Sequence, residues 1–255
     1  MLIDTHCHLY DEAFRDDFAD VLARAREAGV GACVLPGIDR SCHADLLATA
    51  DALPGFAFPC IGLHPTSVGE SWQEELAWVK EHLDDRKYYA VGEIGLDEYW
   101  SKDFVKEQIR VLEEQVVLAA ENDLPVIIHL REATDDFFRV LEDLRGIDFR
   151  GVMHAFSGSY ETYRRLQKHA DFKFGIGGVA TYKNAGVAVA LEKMSLDDLV
   201  LETDCPWLTP VPYRGRRNEP SYVRLVAEKI AHIKGLPPEE VAAATTSNAR
   251  SLFNL

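Results

Sequence analysis

Leu2-Ile3-Asp4-Thr5-His6-Cys7-His8 decides the fold: two apolar residues lead straight into a pair of imidazoles spaced i and i+2. On a strand that spacing points both rings to one face. Runs of the same kind recur along the chain: Ala32-Cys33-Val34-Leu35-Pro36, Phe58-Pro59-Cys60-Ile61-Gly62, Tyr88-Tyr89-Ala90-Val91-Gly92-Glu93, Val126-Ile127-Ile128-His129, Gly151-Val152-Met153-His154, Phe172-Lys173-Phe174-Gly175-Ile176 and Leu199-Val200-Leu201-Glu202-Thr203-Asp204. With the first that makes eight. Helical patterns fill the intervals. Phe14, Phe18, Val21, Leu22 and Ala25 have helical spacing before Gly29, and Asp103 to Glu121 carries Val105, Ile109, Leu112, Val116 and Ala119 on one face. A repeated strand-helix unit predicts an α/β fold, specifically a (β/α)8 TIM barrel spanning residues 1–255 as one domain. The competing open, doubly wound sheet needs a Gly-rich phosphate turn after its first strand, and none follows here.

Composition narrows the function classes. A chain of 255 residues with 47% apolar content can bury a large core. Its formal charge of −15, from 27 basic and 42 acidic residues, has the wrong sign for coating nucleic acid, so a polyanionic substrate needs local compensation. Cys7, Cys33, Cys42, Cys60 and Cys205 are odd in number and show no Cys-x-x-Cys spacing, which predicts reduced thiols rather than a disulfide framework or a zinc ribbon. No basic leader, cleavage site or spanning apolar stretch is evident, and the expectation is a soluble, cytoplasmic protein with no membrane association and no obligate protein partner. Thr209 to Pro220 is irregular by its prolines and glycine and, following the last strand, belongs to the barrel mouth. Ser221 to Leu255 reads as helix, with fresh starts at Pro237-Pro238 and at Ser247.

Taken alone, His-x-His at a strand end is explained as readily by structure as by metal. Convergence changes the balance. If the runs are parallel strands of one barrel, His6, His8, Glu93, His129, His154 and Asp204 meet at one mouth, and buried together without a metal they would leave unpaired charge costing several kcal/mol. His43, His82, His169 and His232 lie in helical or polar context, where solvated helix faces explain them. Cys7 and Cys205 alternate with the ligand candidates and read as packed small residues rather than nucleophiles.

Several blocks carry a family likeness: Asp4-Thr5-His6-Cys7-His8, Gly62-Leu63-His64-Pro65, Gly92-Glu93-Ile94-Gly95-Leu96-Asp97, His154-Ala155-Phe156-Ser157-Gly158, Glu202-Thr203-Asp204, Arg217-Asn218-Glu219-Pro220, and Asn248-Ala249 with Leu252-Phe253. In this order they resemble the TatD family of metal-dependent hydrolases, a branch of the amidohydrolase-like barrels, along the whole chain. The resemblance implies two divalent ions (magnesium, manganese or zinc), one held by His6, His8 and Asp204, a second by His129 and His154, with Glu93 bridging. It also implies a deoxyribonuclease or 3′-to-5′ exonuclease activity. The chain departs from the pattern where Glu98 stands between Gly-Leu-Asp and the aromatic pair Tyr99-Trp100.

On this reading Asp204, Glu93 and His64 are catalytic candidates, Asp204 as acceptor of the water proton. His64 either donates to the substrate or orients a ligand. Arg131, two residues past His129, is a phosphate-binding candidate whose alternative is a surface salt bridge with Glu132 or Asp135, and Arg217 is a further substrate-binding candidate. Glu202 is placed to orient a ligand histidine. The expected substrate is single-stranded DNA or a frayed DNA end. A metal-dependent deacylase or esterase, such as a D-aminoacyl-tRNA deacylase, needs much the same ligands, and a binding barrel without catalysis is the third alternative.

Overall fold

The computed structural model describes all of residues 1–255. Eight strands form at the eight apolar runs: β1 (Leu2–Asp4), β2 (Val30–Leu35), β3 (Ala57–Pro59), β4 (Val91–Asp97), β5 (Val126–Arg131), β6 (Arg150–Met153), β7 (Asp171–Ile176) and β8 (Leu199–Leu201). Paired neighbours run parallel, in the order β1-β2-β3 and β4-β5-β6-β7-β8. Backbone hydrogen bonds stitch the two arcs into a ring. At one seam Gly92 N–H donates to Ile61 O at 2.8 Å, and at the other Thr5 N–H donates to Leu201 O at 2.9 Å. The Asp4 carboxylate reinforces the second seam by accepting from the Thr203 amide (2.9 Å) and hydroxyl (2.6 Å). The result is a TIM barrel, with no open sheet edge.

Helices α1 (Phe18–Glu27), α2 (Arg40–Ala52), α3 (Trp72–His82), α4 (Val105–Glu121), α5 (Thr134–Asp143), α6 (Tyr160–Leu166) and α7 (Gly186–Leu191) occupy the intervals, and α8 (Val223–Lys234) and α9 (Pro238–Phe253) follow β8. One set of residues in the strands or next to their ends, Ile3, Ala32, Val34, Cys60, Ala90, Ile127, Val152 and Val200, forms a separate packed cluster with Ala249, Leu252 and Phe253 of α9. The lumen is therefore filled and stoppered, not a pore. The alternate set faces the helices in a larger core. Nothing in the chain forms a helix long and apolar enough to cross a membrane.

Three expectations are corrected. Ser247 lies inside α9, which runs unbroken from Pro238 to Phe253 because its Val241, Thr245, Ala249 and Leu252 are buried on one side and Asn248 donates to Leu196 O and Leu199 O, so packing outweighs the local start signal. Phe14 belongs to a 3-10 turn (Glu12–Phe14) ahead of α1 rather than to the helix. His43 is not on a solvated face: it is buried, with its Nε2 at 2.9 Å from the Tyr88 hydroxyl.

Candidate metal centre

The side chains that converge at the mouth are positioned by strand ends. β1 stops at Asp4, and the His-x-His segment continues beyond it, its backbone pinned alternately to both neighbours: Cys7 N–H to Val34 O (3.1 Å) and His8 N–H to Cys205 O (3.0 Å). Glu93 lies within β4, where the register with β5 jumps between Gly92 and Ile94, and its amide donates instead to Gly37 O at 2.8 Å. A bulge of this kind re-aims one side chain without ending the strand. His129 is in β5, and His154 immediately follows β6. Asp204, past β8, takes a left-handed backbone (φ 57°), which Asp tolerates, and its amide donates to His6 O at 2.9 Å.

These placements bring six donors together. His6 Nε2 lies 3.1 Å from His8 Nε2, 3.0 Å from Glu93 Oε2 and 3.6 Å from Asp204 Oδ1, and His8 Nε2 lies 3.5 Å from the same Asp204 oxygen. Donors ~2.0–2.2 Å from a shared ion stand about this far apart, so the spacing fits a metal. The other Glu93 oxygen, Oε1, meets His129 Nδ1 at 2.8 Å, His64 Nε2 at 3.3 Å and His154 Nε2 at 4.0 Å. One carboxylate thus divides its two oxygens between two groups of imidazoles. His154 stands between the groups: its ring stacks on His6 with centroids 3.4 Å apart, and its Nε2 is 3.7 Å from Asp204 Oδ1.

Hydrogen bonds fix which ring nitrogens can ligate. The Tyr10 hydroxyl donates to Pro36 O at 2.6 Å, so toward His8 Nδ1, 2.9 Å away, it can only accept. His8 Nδ1 therefore carries the proton, and Nε2 presents a lone pair to the cluster. His64 is set the opposite way. Its Nδ1 accepts from the Thr66 amide at 3.1 Å, which puts the proton on Nε2, the nitrogen that faces Glu93. His64 is thus a hydrogen-bond donor at the edge of the cluster, and burial lowers its pKa, keeping the ring neutral.

A further layer of carboxylates orients the ligand candidates. Asp97 Oδ2 contacts His129 Nε2 at 2.9 Å while Oδ1 accepts from the Tyr99 and Trp100 amides (3.0 and 3.2 Å). Glu202 Oε1 lies 3.1 Å from His154 Nδ1 and accepts from the Ala155 amide. Gly175 makes room for it: a Cβ there would fall 2.0 Å from Glu202 Oε2. Carboxylate-imidazole-metal chains of this kind raise ligand basicity and fix ring orientation. Sequence reading passed over Tyr10 and Asp97. Tyr10 carried no signal by itself, whereas Asp97 stands four residues after Glu93 in a fully buried strand, a parity that could have flagged it.

The electrostatics match. Burial pushes the Glu93 carboxyl up, and the imidazoles of His6, His64, His154 and His129 more than reverse this, holding it well below the usual range. Asp204 is likewise lowered, burial being outweighed by His154, His8 and His6. Burial opposes charge on His129, yet Asp97 and Glu93 raise it to about 9, and Glu202, Glu93 and Asp204 raise His154 to about 10. Behind the cluster, Cys7 and Cys205 approach to 3.3 Å between sulfurs, fully buried, and burial pushes both thiols up, as expected of packing residues rather than nucleophiles.

The arginines separate. Arg131 makes no ion pair with Glu132 or Asp135; it is exposed and stacks over Tyr99 at 3.7 Å and Trp100 at 5.4 Å. Arg217 is not brought to the cluster. Its guanidinium grips both Asp17 oxygens (2.8 and 2.7 Å) and the Ala13 carbonyl, which ties the loop after β8 to the segment before α1.

Residues 3–254 match the model of the family described as TatD related DNase. An uncharacterised metal-dependent hydrolase of Bacillus subtilis, YabD, is 41% identical over 256 residues, covering 100% of both chains. The protein named 3′-5′ ssDNA/RNA exonuclease TatD of Erwinia tasmaniensis is 32% identical over 261 residues, again covering 100% of each. Among solved structures, the TatD homologue YjjV of Escherichia coli superposes with a TM-score of 0.89 at 32% identity, covering 100% of this chain and 98% of that one.

Proposed function

Because the chain belongs to the TatD family and is a metal-dependent hydrolase, we propose that it cleaves phosphodiester bonds of DNA from 3′ ends, preferring single strands, with two divalent ions at the barrel mouth. The observation that carries the two-ion reading is Glu93, whose Oε2 faces His6 while its Oε1 faces His129. His6, His8 and Asp204 would hold one ion, His129 and His154 the other, and Glu93 both. Imidazole and carboxylate donors without thiolate suit magnesium, manganese or zinc. When bound, such ions lower the pKa of water and offset charge on phosphoryl oxygens.

The protein's own groups supply the rest. Asp204 is ionised and, with its side chain 15% exposed against 3% for Glu93, is the donor carboxylate that solvent reaches, which suits it to take the proton of the attacking water. The neutral His64 carries its Nε2–H beside Glu93 Oε1, from where it would donate to a phosphoryl oxygen. Asp97 and Glu202 hold the rings of His129 and His154 through the reaction. The test is a panel of single-stranded DNA, duplex DNA, RNA, aryl esters and D-aminoacyl-tRNA, run after chelation and single-metal add-back. Cleavage of single-stranded DNA that is lost on chelation and restored by metal is expected. Glu93→Gln, which keeps the shape but not the charge, should lose over ~100-fold in rate at limiting metal with near-normal thermal unfolding. Turnover in demonstrably metal-free protein, or ester substrates outrunning DNA, would overturn the reading.

A further inference from the structure

The large aromatic side chains left exposed by this fold are Tyr99, Trp100 and Trp207, 48%, 69% and 51% accessible, and all three border the donor cluster. Exposed aromatics carry a solvation cost and mark contact surfaces when they gather at a site. Trp207 belongs to the His6, His8 and Asp204 side: its amide donates to Asp204 O at 2.9 Å, and its ring meets His8 edge to face with centroids 5.0 Å apart. Tyr99 and Trp100 belong to the His129 side, their amides held by the same Asp97 carboxylate whose other oxygen contacts His129. The Arg131 guanidinium lies over Tyr99 and, having no carboxylate partner, keeps its charge free for phosphate.

We infer that these two aromatic groups form a two-sided base clamp. The nucleobase on one side of the reacting phosphate stacks on Trp207, and the base on the other stacks on the Tyr99-Trp100 face, with Arg131 on the adjoining phosphate. The occupant is an unpaired nucleic-acid end, because only there are base faces available to rings on both sides of the donor cluster. A paired duplex hides those faces. Stacking of this type is indifferent to base identity, so the clamp selects for unpaired bases without selecting sequence. A docked protein would find no use for rings placed on either side of a carboxylate and imidazole cluster. The inference rests on the nuclease reading above, and deepens it by naming what the rim recognises.

The experiment compares an oligothymidylate with the same backbone lacking its bases, using metal-loaded protein. KM for the base-bearing strand should be about 5- to 100-fold lower than for the abasic strand, the range expected for stacking one or two bases. In Trp207→Ala and Trp100→Ala that ratio should collapse toward unity, whereas Trp72→Phe on α3 should retain it. Binding is followed separately, by quenching of tryptophan fluorescence with a phosphorothioate oligothymidylate that resists cleavage. Quenching that disappears in Trp207→Ala and Trp100→Ala, without hydrolysis by the parent, would sustain the clamp and defeat the nuclease reading. Hydrolysis with equal KM for base-bearing and abasic strands, or a base preference that survives both substitutions, would defeat the clamp and leave the nuclease reading standing. A blunt duplex bound as tightly as the single strand would also overturn it.

Discussion

Tyr10 shows how a single hydroxyl can set a candidate metal ligand. Its one proton goes to Pro36 O, which forces His8 into the tautomer that offers Nε2 to the cluster. Tyr10→Phe keeps the ring and loses this constraint, so divalent-metal affinity should fall ~10–100-fold while folding changes by no more than about 1 kcal/mol. A metal titration of the variant by calorimetry checks this, and unchanged affinity would remove Tyr10 from the site. His129 and His154 make a second expectation. With pKa values raised to about 9 and about 10, both rings hold protons at neutral pH in protein stripped by chelator, and metal must displace them. Apparent affinity should therefore rise with pH up to that range. Because the folded values lie above the unfolded one, the stability these two rings give the stripped protein is fully present below about pH 6.5 and is lost as pH rises through 9 to 10. Calorimetry in buffers of different ionisation enthalpy should show protons released on loading at pH 7; no release would contradict the raised values.

At the scale of elements, the loop after β8 tests whether Arg217 serves substrate or structure. Arg217 grips Asp17, Glu219 pairs with Arg24 at 2.7 Å, and the buried Asn218 side chain donates to Thr203 O and Trp207 O. Arg217→Ala should cost roughly 0.5–1 kcal/mol, the pair being about one-third exposed, and Asn218→Ala ~2–3 kcal/mol, since it strands buried carbonyls. Denaturant melts measure both costs. Arg217→Ala should leave the salt dependence of DNA turnover unchanged; a shallower dependence would return Arg217 to the substrate. Strand positions were legible in sequence because a parallel strand covered on both faces must be an apolar run, and the ligand candidates announced themselves by ending or interrupting such runs. Partners reached across elements were not legible. Asp97 meets His129 through the β4–β5 register, Tyr10 meets Pro36 across a loop, and His43 is buried by Tyr88 from a distant segment, none of which local periodicity encodes. The pairing of Arg217 was hidden for the same reason: an arginine on a mouth-side loop looks available until its Asp17 partner, 200 residues away, is seen.

Considered whole, on the nuclease reading proposed above the molecule must attract a polyanion while carrying a formal charge of −15. Two of its arginines are committed to carboxylates, Arg217 to Asp17 and Arg24 to Glu219. Arg131, Arg214 and Arg216, which lie over aromatic rings and have no carboxylate partner, and any metal that the donor cluster would hold are then the sources of attraction, and a formal charge of −15 argues against a broad basic footprint. For a single strand, each neutralised phosphate contributes ~0.7 to the slope of log affinity against log salt, so contact with ~2–4 phosphates predicts a slope of about −1.5 to −3. Arg131→Ala should reduce the magnitude by about 0.7 and raise KM for DNA. Both follow from KM measured between low and physiological salt at fixed metal. A donor cluster enclosed by loops and flanked by aromatic rings also admits a strand end more readily than the middle of a duplex, so closed circular DNA should resist cleavage while a linear single strand is degraded. A steep slope together with cutting of closed circles would mean that the protein engages DNA over an open surface, and the recessed, end-directed site argued from Glu93, His129 and Asp204 would then be the wrong place for the chemistry.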